Sequence, residues 1–157
     1  MRKVVSGGQT GVDRAGLDAA IKLGIPHGGW CPKGRKAEDG VIPVKYHLTE
    51  GPSPGYPWRT EANVKDSSIT LIYCHDIQGS RGTALTARLC DKHGKACIDV
   101  VKELSKFFEA EDGYNHVAKL INGYNVINVA GPRESTNPGI HEAARDRFVE
   151  IFRRSFL

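Results

Sequence analysis

A glycine-rich loop near the start of the sequence has the residue types of an anion-binding turn. It lies between a β-branched segment and a helical pattern, and it consists of Ser6, Gly7, Gly8, Gln9, Thr10 and Gly11. Glycine lets the backbone approach a ligand closely, and the N–H groups at a helix start favour negative charge. We therefore interpret these six residues as binding the phosphate of a ligand. The loop lacks the lysine of GxxxxGK[ST], which disfavours a Mg-ATP hydrolase.

Two charged residues follow in the first turn of the helix, Asp13 and Arg14. In one interpretation the aspartate is a favourable charge at the positive end of the helix, and the arginine is a solvated side chain. In the other, both side chains contact the ligand directly. The sequence leaves both interpretations open, and we include both residues among the candidate binding residues.

A second glycine loop, residues 79–83, repeats this arrangement after an apolar strand pattern. Arg81 can form paired hydrogen bonds with an oxyanion, while Gly82 and Thr83 offer N–H and hydroxyl donors at a helix start. Thr83 is also compatible with a simple N-cap. Two such loops at one edge of a sheet predict a dianionic ligand.

Further candidates lie between the two loops. Arg59, Thr60 and Glu61 begin a short helical pattern in which Thr60 is the expected N-cap, so that Arg59 and Glu61 lie near the same sheet edge. Trp30 offers an aromatic plate of the kind that stacks on a heterocycle. Lys33 belongs to a neighbouring cluster of mixed charge, for which a solvated surface loop is the alternative.

The sequence contains no established metal-binding or acyl-transfer pattern. The six histidines form no i,i+4 pair, the four cysteines form no CxxC pair, and no HExxH or GxSxG occurs. We therefore expect no metal site built by the protein and no acyl-transfer chemistry. Cys74, Cys90 and Cys97 are predicted to be reduced core residues, and Cys31 either packs in the core or is a reactive thiol.

Charge and hydropathy restrict the class of partner. Twenty-two lysines and arginines against 18 aspartates and glutamates give a net charge of +4. This mild excess suits an anionic small molecule and is far from the basic stripe of a nucleic-acid binder. The longest apolar runs are strand-sized, and no signal-peptide core follows Met1. We expect a cytoplasmic protein with neither a nucleic-acid nor a membrane partner.

Strand and helix patterns alternate along the chain. Strands are predicted at residues 2–5, 68–74, 95–100 and 125–130, and helices at 13–23, 84–93, 115–122 and from 140 onward. This order implies right-handed βαβ crossovers. We predict a Rossmann-like three-layer α/β/α sandwich with a mostly parallel sheet of about five strands, and a ligand at the carboxyl edge of the strands. The length fits a single domain over residues 1–157.

One segment interrupts the alternation. Residues 28–59 hold five of the eight prolines, together with both tryptophans, and are too long for a simple connection. We predict that this Gly/Pro/aromatic insertion is a structured lid or a subunit-contact loop.

Several of these motifs together resemble the molybdenum-carrier family, a branch of the Rossmann-like SLOG or lysine-decarboxylase-like superfamily. The resemblance is carried by residues 6–14, 28–35 with 38–40, 59–61 with 63–64, and 82–86. It implies a Rossmann-like α/β fold, homo-oligomers and a site for a phosphorylated heterocycle. The family's named ligand is the molybdenum cofactor, a pterin that bears a phosphate, which would here be cargo.

Relatives in the wider superfamily are phosphoribohydrolases, which use a GGxGTxxE signature whose glutamate serves in N-glycosidic cleavage. In the corresponding run of this sequence, Thr86 occupies the place of that glutamate. Glu61 or Asp13 could supply a carboxylate instead. The leading hypothesis is therefore a carrier of molybdopterin or a nucleotide-like ligand that breaks no bond. A nucleotide N-glycosidase with Glu61 in the carboxylate role is the alternative, and a nucleotide-ligand sensor is the third hypothesis.

Overall fold

The computed structural model describes residues 1–157 and contains six helices and nine strands. In chain order these are β1 (Lys3–Val5), α1 (Val12–Leu23), β2 (His27–Gly28), β3 (Trp30–Cys31), β4 (Lys36–Ala37), β5 (Gly40–Val41), β6 (Thr49–Glu50), α2 (Tyr56–Asp66), β7 (Ile69–Ile72), α3 (Arg81–Lys92), β8 (Ala96–Asp99), α4 (Val100–Ser105), α5 (Ala110–Ile121), β9 (Val126–Ala130) and α6 (Ile140–Phe156).

Five strands form an all-parallel sheet in the order β2-β1-β9-β7-β8. The central strand β7 is buried along its whole length, as expected of a parallel strand that is covered on both faces. The main core lies between this sheet and one layer of helices, and it includes Val4, Leu71, Val129 and Phe148. The sheet and its strands confirm the predicted α/β class.

The helices divide into two layers because the crossovers run in opposite directions. The step from β1 to β2 leads to one edge of the sheet and the step from β7 to β8 to the other, so right-handed crossovers place α1 and α3 on opposite faces. Helix α6 packs against α1 and α5, and α5 packs against α4, whereas α2 packs against α3. The helices that follow β9 and β7 therefore diverge, which opens a crevice at the carboxyl ends of these neighbouring strands.

Only some of the helix ends lie where the local sequence signals predict them. Gly24 closes α1 with a left-handed backbone conformation (φ 68°), as the sequence predicts. The two predicted threonine caps are wrong. Thr60 lies inside α2, which begins at Tyr56 after Gly55, and its hydroxyl donates to the Tyr56 carbonyl at 3.0 Å. Helix α3 begins after Ser80, so Thr83 lies in its first turn.

The 28–59 insertion is an ordered substructure. Strands β3 and β6 pair in parallel, and β4 and β5 form an antiparallel ladder. Cys31, Ile42 and Tyr46 form a small core with Leu17 of α1, so the insertion is anchored on that helix. Arg35, at a φ of 54°, donates to four backbone carbonyls of residues 42–48, which satisfies the acceptors of this irregular segment.

The two ends of the described chain touch. The Arg2 guanidinium donates to the Ser155 carbonyl at 2.6 Å and to the Tyr124 carbonyl at 2.9 Å, and it lies 4.1 Å from the centre of the Phe156 ring. Residues near the start of β1 are thereby held against the end of α6. None of the helices has both the length and the apolar character that crossing a bilayer requires.

Candidate functional site

A cleft of about 1040 Å³ opens at the carboxyl ends of β7 and β9, where the two helix layers diverge. In a doubly wound sheet this is the place where ligands bind. Its lining includes Gln9, Asp13, Tyr56, Arg59, Thr60, Asn63, Cys74, His75, Asp76, residues 79–86, Arg88, Asn128 and residues 130–133. The cleft thus collects segments that are far apart in the sequence.

The lining of the cleft carries more positive than negative side chains. Four arginines face two aspartates, Asp13 and Asp76. Arg59 is paired with Asp13, and Arg133 lies 3.9 Å from Glu38. The side chains of Arg81 and Arg88, both on α3, make no hydrogen bond or ion pair with the rest of the chain. The cleft therefore offers two free guanidinium groups to an anion.

The start of α3 adds backbone donors to the same wall. Ser80 precedes the helix without capping it, since its hydroxyl donates instead to the Thr83 hydroxyl at 2.9 Å. The first-turn N–H groups of Arg81, Gly82 and Thr83 have no side-chain acceptor, and they carry the positive end of the helix dipole. Thr86 faces the same cleft and donates to the Gly82 carbonyl at 3.1 Å.

A buried ion pair forms the opposite wall. Arg59 Nη1 lies 2.9 Å from Asp13 Oδ2, and both side chains are about nine-tenths buried. Burial raises the pKa of Asp13, while the neighbouring Arg59 guanidinium and the Gln9 N–H act in the opposite direction. The pair holds α1 and α2 together at the rim of the sheet.

The backbone of the first glycine loop is largely satisfied within the protein. The N–H groups of Gly8, Gln9 and Thr10 donate to Ser6 Oγ, Asp13 Oδ2 and Gln9 Oε1 at 3.0–3.3 Å. The backbone of this loop therefore packs closely against other protein atoms and does not face open space. A side chain on Gly7 would overlap the Arg59 guanidinium, with Arg59 Cζ only 2.6 Å away.

The structure brings some of the predicted site residues to the cleft and not others. Six line it, namely Gln9, Asp13, Arg59, Arg81, Gly82 and Thr83. The remaining eight lie outside the lining, namely Ser6, Gly7, Gly8, Thr10, Gly11, Arg14, Trp30 and Lys33.

The positions of three residues outside the lining are explained by their contacts. The Arg14 guanidinium donates two hydrogen bonds, of 2.6 and 2.8 Å, to the carboxylate of Asp39 in the insertion. Trp30 donates from Nε1 to Asp66 at 2.7 Å and packs edge-on against Trp58. Lys33 is exposed in the insertion. The contacts of Arg14 and Trp30 thus fix the insertion to the rest of the chain.

The aromatic residue of the cleft is Tyr56, at the start of α2. Its ring lies 5.2 Å from the Arg59 guanidinium, 5.5 Å from that of Arg133 and 5.7 Å from the Lys36 ammonium. Three positive charges therefore lie within 6 Å of this ring, at the distances of cation–π contacts. Sequence reasoning missed Tyr56, because nothing in its neighbourhood marks it apart from the other aromatics of the insertion.

The candidate catalytic residue Glu61 also lies outside the lining of the cleft. Its Oε1 lies 2.9 Å from His93 Nε2 and 3.3 Å from Lys92 Nζ, both at the end of α3. Hydrogen bonds from His93 and Lys92 hold its pKa below the usual range. Glu61 therefore links α2 to α3.

The burial of the four cysteines differs in part from the prediction. Cys31 is fully buried in the small core of the insertion, and burial raises the pKa of its thiol. Cys74 and Cys90 are also buried, but Cys97 is exposed, so its prediction as a core residue is wrong. No group of three or more His, Cys, Asp or Glu side chains is arranged to hold a metal ion.

Four further cleft residues were missed from the sequence: Asp76, Arg88, Asn128 and Arg133. Asn128 is a buried polar residue inside β9 and donates to Thr70 of β7 at 3.2 Å. A polar residue in the middle of an apolar strand pattern is the one signal that could have revealed it.

The fold and this cleft define the class of protein. The chain belongs to the circularly permutated YpsA SLOG family, whose model matches residues 4–152. It is similar over its full length to a protein from Syntrophus aciditrophicus SB named a "Putative molybdenum carrier protein", whose crystal structure was determined at 1.45 Å resolution. The two are 40% identical with a TM-score of 0.79, and the match covers 96% of that chain. A search of curated proteins found no match. These similarities confirm the family resemblance and the Rossmann-like fold.

Proposed function

We propose that the cleft binds an anionic, phosphorylated heterocycle, and that the protein carries this molecule without obligatory chemistry. The observation that carries the proposal is the juxtaposition of two unpaired arginines, Arg81 and Arg88, with the uncapped start of α3. Guanidinium groups and first-turn N–H groups are the donors that bind phosphate in proteins. The phosphate would lie at this helix start, and Tyr56 would lie against the ring.

The similar protein from Syntrophus aciditrophicus supports the carrier role, since it is named as a molybdenum carrier. We propose molybdenum cofactor, or a nucleotide-like molecule, as the cargo. The molybdenum would arrive as part of that cargo, held through the organic ligand and its phosphate. The proposal also includes a cytoplasmic location and a homo-oligomeric assembly.

Replacing both Arg81 and Arg88 by alanine should weaken the binding of guanosine 5′-monophosphate (GMP) about 10- to 100-fold, because each guanidinium–phosphate contact is a charge-assisted hydrogen bond. Isothermal titration calorimetry measures the dissociation constant. Lys33→Ala is the control, because it removes an exposed positive charge outside the cleft. Equal losses in the two variants would mean that only net charge attracts the nucleotide. Failure of the unmodified protein to bind GMP, pyrophosphate or isolated molybdopterin would contradict the proposal.

The N-glycosidase alternative is less well supported by the arrangement of carboxylates. Thr86 lies where the superfamily's glutamate would be, and Glu61 is engaged with His93. Asp76 is the cleft carboxylate that has no arginine partner. Incubation with nucleoside monophosphates and chromatography of released base tests this alternative. Turnover that is lost in Asp76→Asn would replace carriage by hydrolysis as the proposed function.

The sensor alternative has a separate readout. A nucleotide sensor acts through partners or assembly, so ligand binding should change its oligomeric state. Light scattering with and without GMP measures this change. We expect the same molar mass in both conditions, as carriage requires no such coupling.

A further inference from the structure

One side-chain nitrogen in the cleft wall is buried and has no partner: Nε2 of Gln9. The orientation of this amide is fixed by its other atom. The backbone N–H groups of Thr10 and Glu38 both point to Oε1, at 3.0 and 2.9 Å. Since two donors require an acceptor between them, that atom is the oxygen. The remaining atom is therefore an N–H₂ donor, and leaving it unsatisfied costs free energy comparable to a lost hydrogen bond.

An unpaired acceptor lies on Asp13, a residue that is hydrogen-bonded to the Gln9 backbone. The Gln9 backbone N–H donates to Asp13 Oδ2 at 3.2 Å, which ties the two residues together at the start of α1. The same Oδ2 also receives the Arg59 guanidinium. The second carboxylate oxygen, Oδ1, has no partner in the protein. Gln9 and Asp13 both belong to the lining of the cleft, and together they retain one unpaired hydrogen-bond donor and one unpaired acceptor.

We propose that Gln9 and Asp13 recognise a lactam edge on the bound heterocycle, that is, a ring oxo group next to a ring N–H. The oxo oxygen would accept from Gln9 Nε2, and the N–H would donate to Asp13 Oδ1. Guanine, hypoxanthine and 4-oxopterin rings carry this edge, and adenine carries an amino group in place of the oxo group. This inference rests on the proposed function, because the phosphate at the start of α3 fixes which edge faces Gln9.

Binding of the phosphate at the start of α3 would allow the site to discriminate between rings. Two nucleotides with the same phosphate and sugar are held in the same register, so exchanging oxo for amino places a donor against the Gln9 donor. A site that hydrogen-bonds a ligand group discriminates strongly against an analogue that leaves the group unpaired. The protein should therefore bind GMP at least about tenfold more tightly than AMP.

Gln9→Glu tests the same point from the protein side. The substitution keeps an acceptor for the Thr10 and Glu38 N–H groups and replaces the unpaired N–H₂ donor by an oxygen. GMP binding should weaken at least about tenfold, and pyrophosphate binding should change less than about twofold, because pyrophosphate has no ring edge. Calorimetry gives both affinities, and pyrophosphate binding also shows that the variant is folded.

The outcomes separate this inference from the proposed function. Equal affinity of the unmodified protein for GMP and AMP, with pyrophosphate still bound, overturns the lactam site alone. Preference for GMP that persists unchanged in Gln9→Glu removes Gln9 from the site. Binding of none of the three probes overturns both proposals. If Gln9→Glu does not fold, the ranking of GMP and AMP on the unmodified protein still decides the lactam assignment.

Discussion

The Arg59→Met variant should lose about 3–5 kcal/mol of unfolding free energy at pH 7. Methionine retains much of the apolar volume of the arginine stem but leaves the Asp13 carboxylate buried without its counter-charge. An unpaired buried charge is among the most costly defects in a protein interior. Urea denaturation of ligand-free protein measures the loss.

The loss should depend on pH in a defined direction. Burial raises the pKa of Asp13, and Arg59 opposes that rise. Without Arg59 the folded-state pKa lies still further above its unfolded value. A carboxyl group of this kind contributes stability below its unfolded pKa and loses it as the pH rises through the folded pKa. The deficit relative to unmodified protein should therefore be small near about pH 4 and grow towards pH 7.

The double variant Asp13→Asn/Arg59→Met is the matched control. It removes the buried charge but keeps an oxygen that can accept the Gln9 N–H, so it should recover part of the stability lost at pH 7. It should also lose the pH dependence of the deficit. A single variant with the same deficit at both pH values would show that lost packing, and not the unpaired charge, is the cause.

Gly11→Ala should destabilise the fold by about 3 kcal/mol or more and reduce the yield of folded protein. Gly11 has a φ of 80°, which disfavours any side chain, and it lies against the loop that follows β9. A Cβ atom there would overlap the Pro132 carbonyl oxygen and lie 2.8 Å from the Glu134 nitrogen. Both obstacles are backbone atoms, so no side-chain rotation can relieve them. Thermal and urea unfolding measure the effect.

Gly24→Ala separates the two causes. Gly24 has a similar φ of 68°, but no atom lies within 4 Å of a Cβ built there. Only the left-handed strain remains, which costs about 1–2 kcal/mol. If the two alanine variants were equally unstable, close packing against Pro132 would contribute nothing.

Four of the five strands of the main sheet, β1, β7, β8 and β9, were predictable because their signals are local, whereas the two-residue strand β2 was not predicted. The apolar runs that became β7 and β9, and Gly24 at the end of α1, each specify their element without reference to the rest of the chain. The alternation of strand and helix then fixes parallel pairing. The short helix α4 was missed because Val100 and Val101 continue the apolar pattern of β8. The pairing inside the insertion involves strands of only two residues, which carry no periodicity.

The sequence predicts the edge of the sheet at which the cleft lies, but it predicts only some of the residues that line the cleft. In the sequence the two glycine loops look equivalent, because each follows a strand and opens a helix. In the structure the amides of the first loop are occupied by Ser6, Asp13 and Gln9, whereas the start of α3 is uncapped. Which amides are free depends on long-range packing, such as Arg59 against Gly7, and no local pattern reveals it.

The contact between Arg2 and the end of α6 indicates how this fold could accommodate a circular permutation of its sequence. Because residues 2 and 155 touch, a short linker could join them without disturbing the sheet, and the chain could then be opened in a surface loop elsewhere. The order in which strands are translated would change while their neighbours in space stay the same. This closeness, which the hydrogen bonds of Arg2 to residues 121, 124 and 155 report, is compatible with the circular permutation in the description of the family.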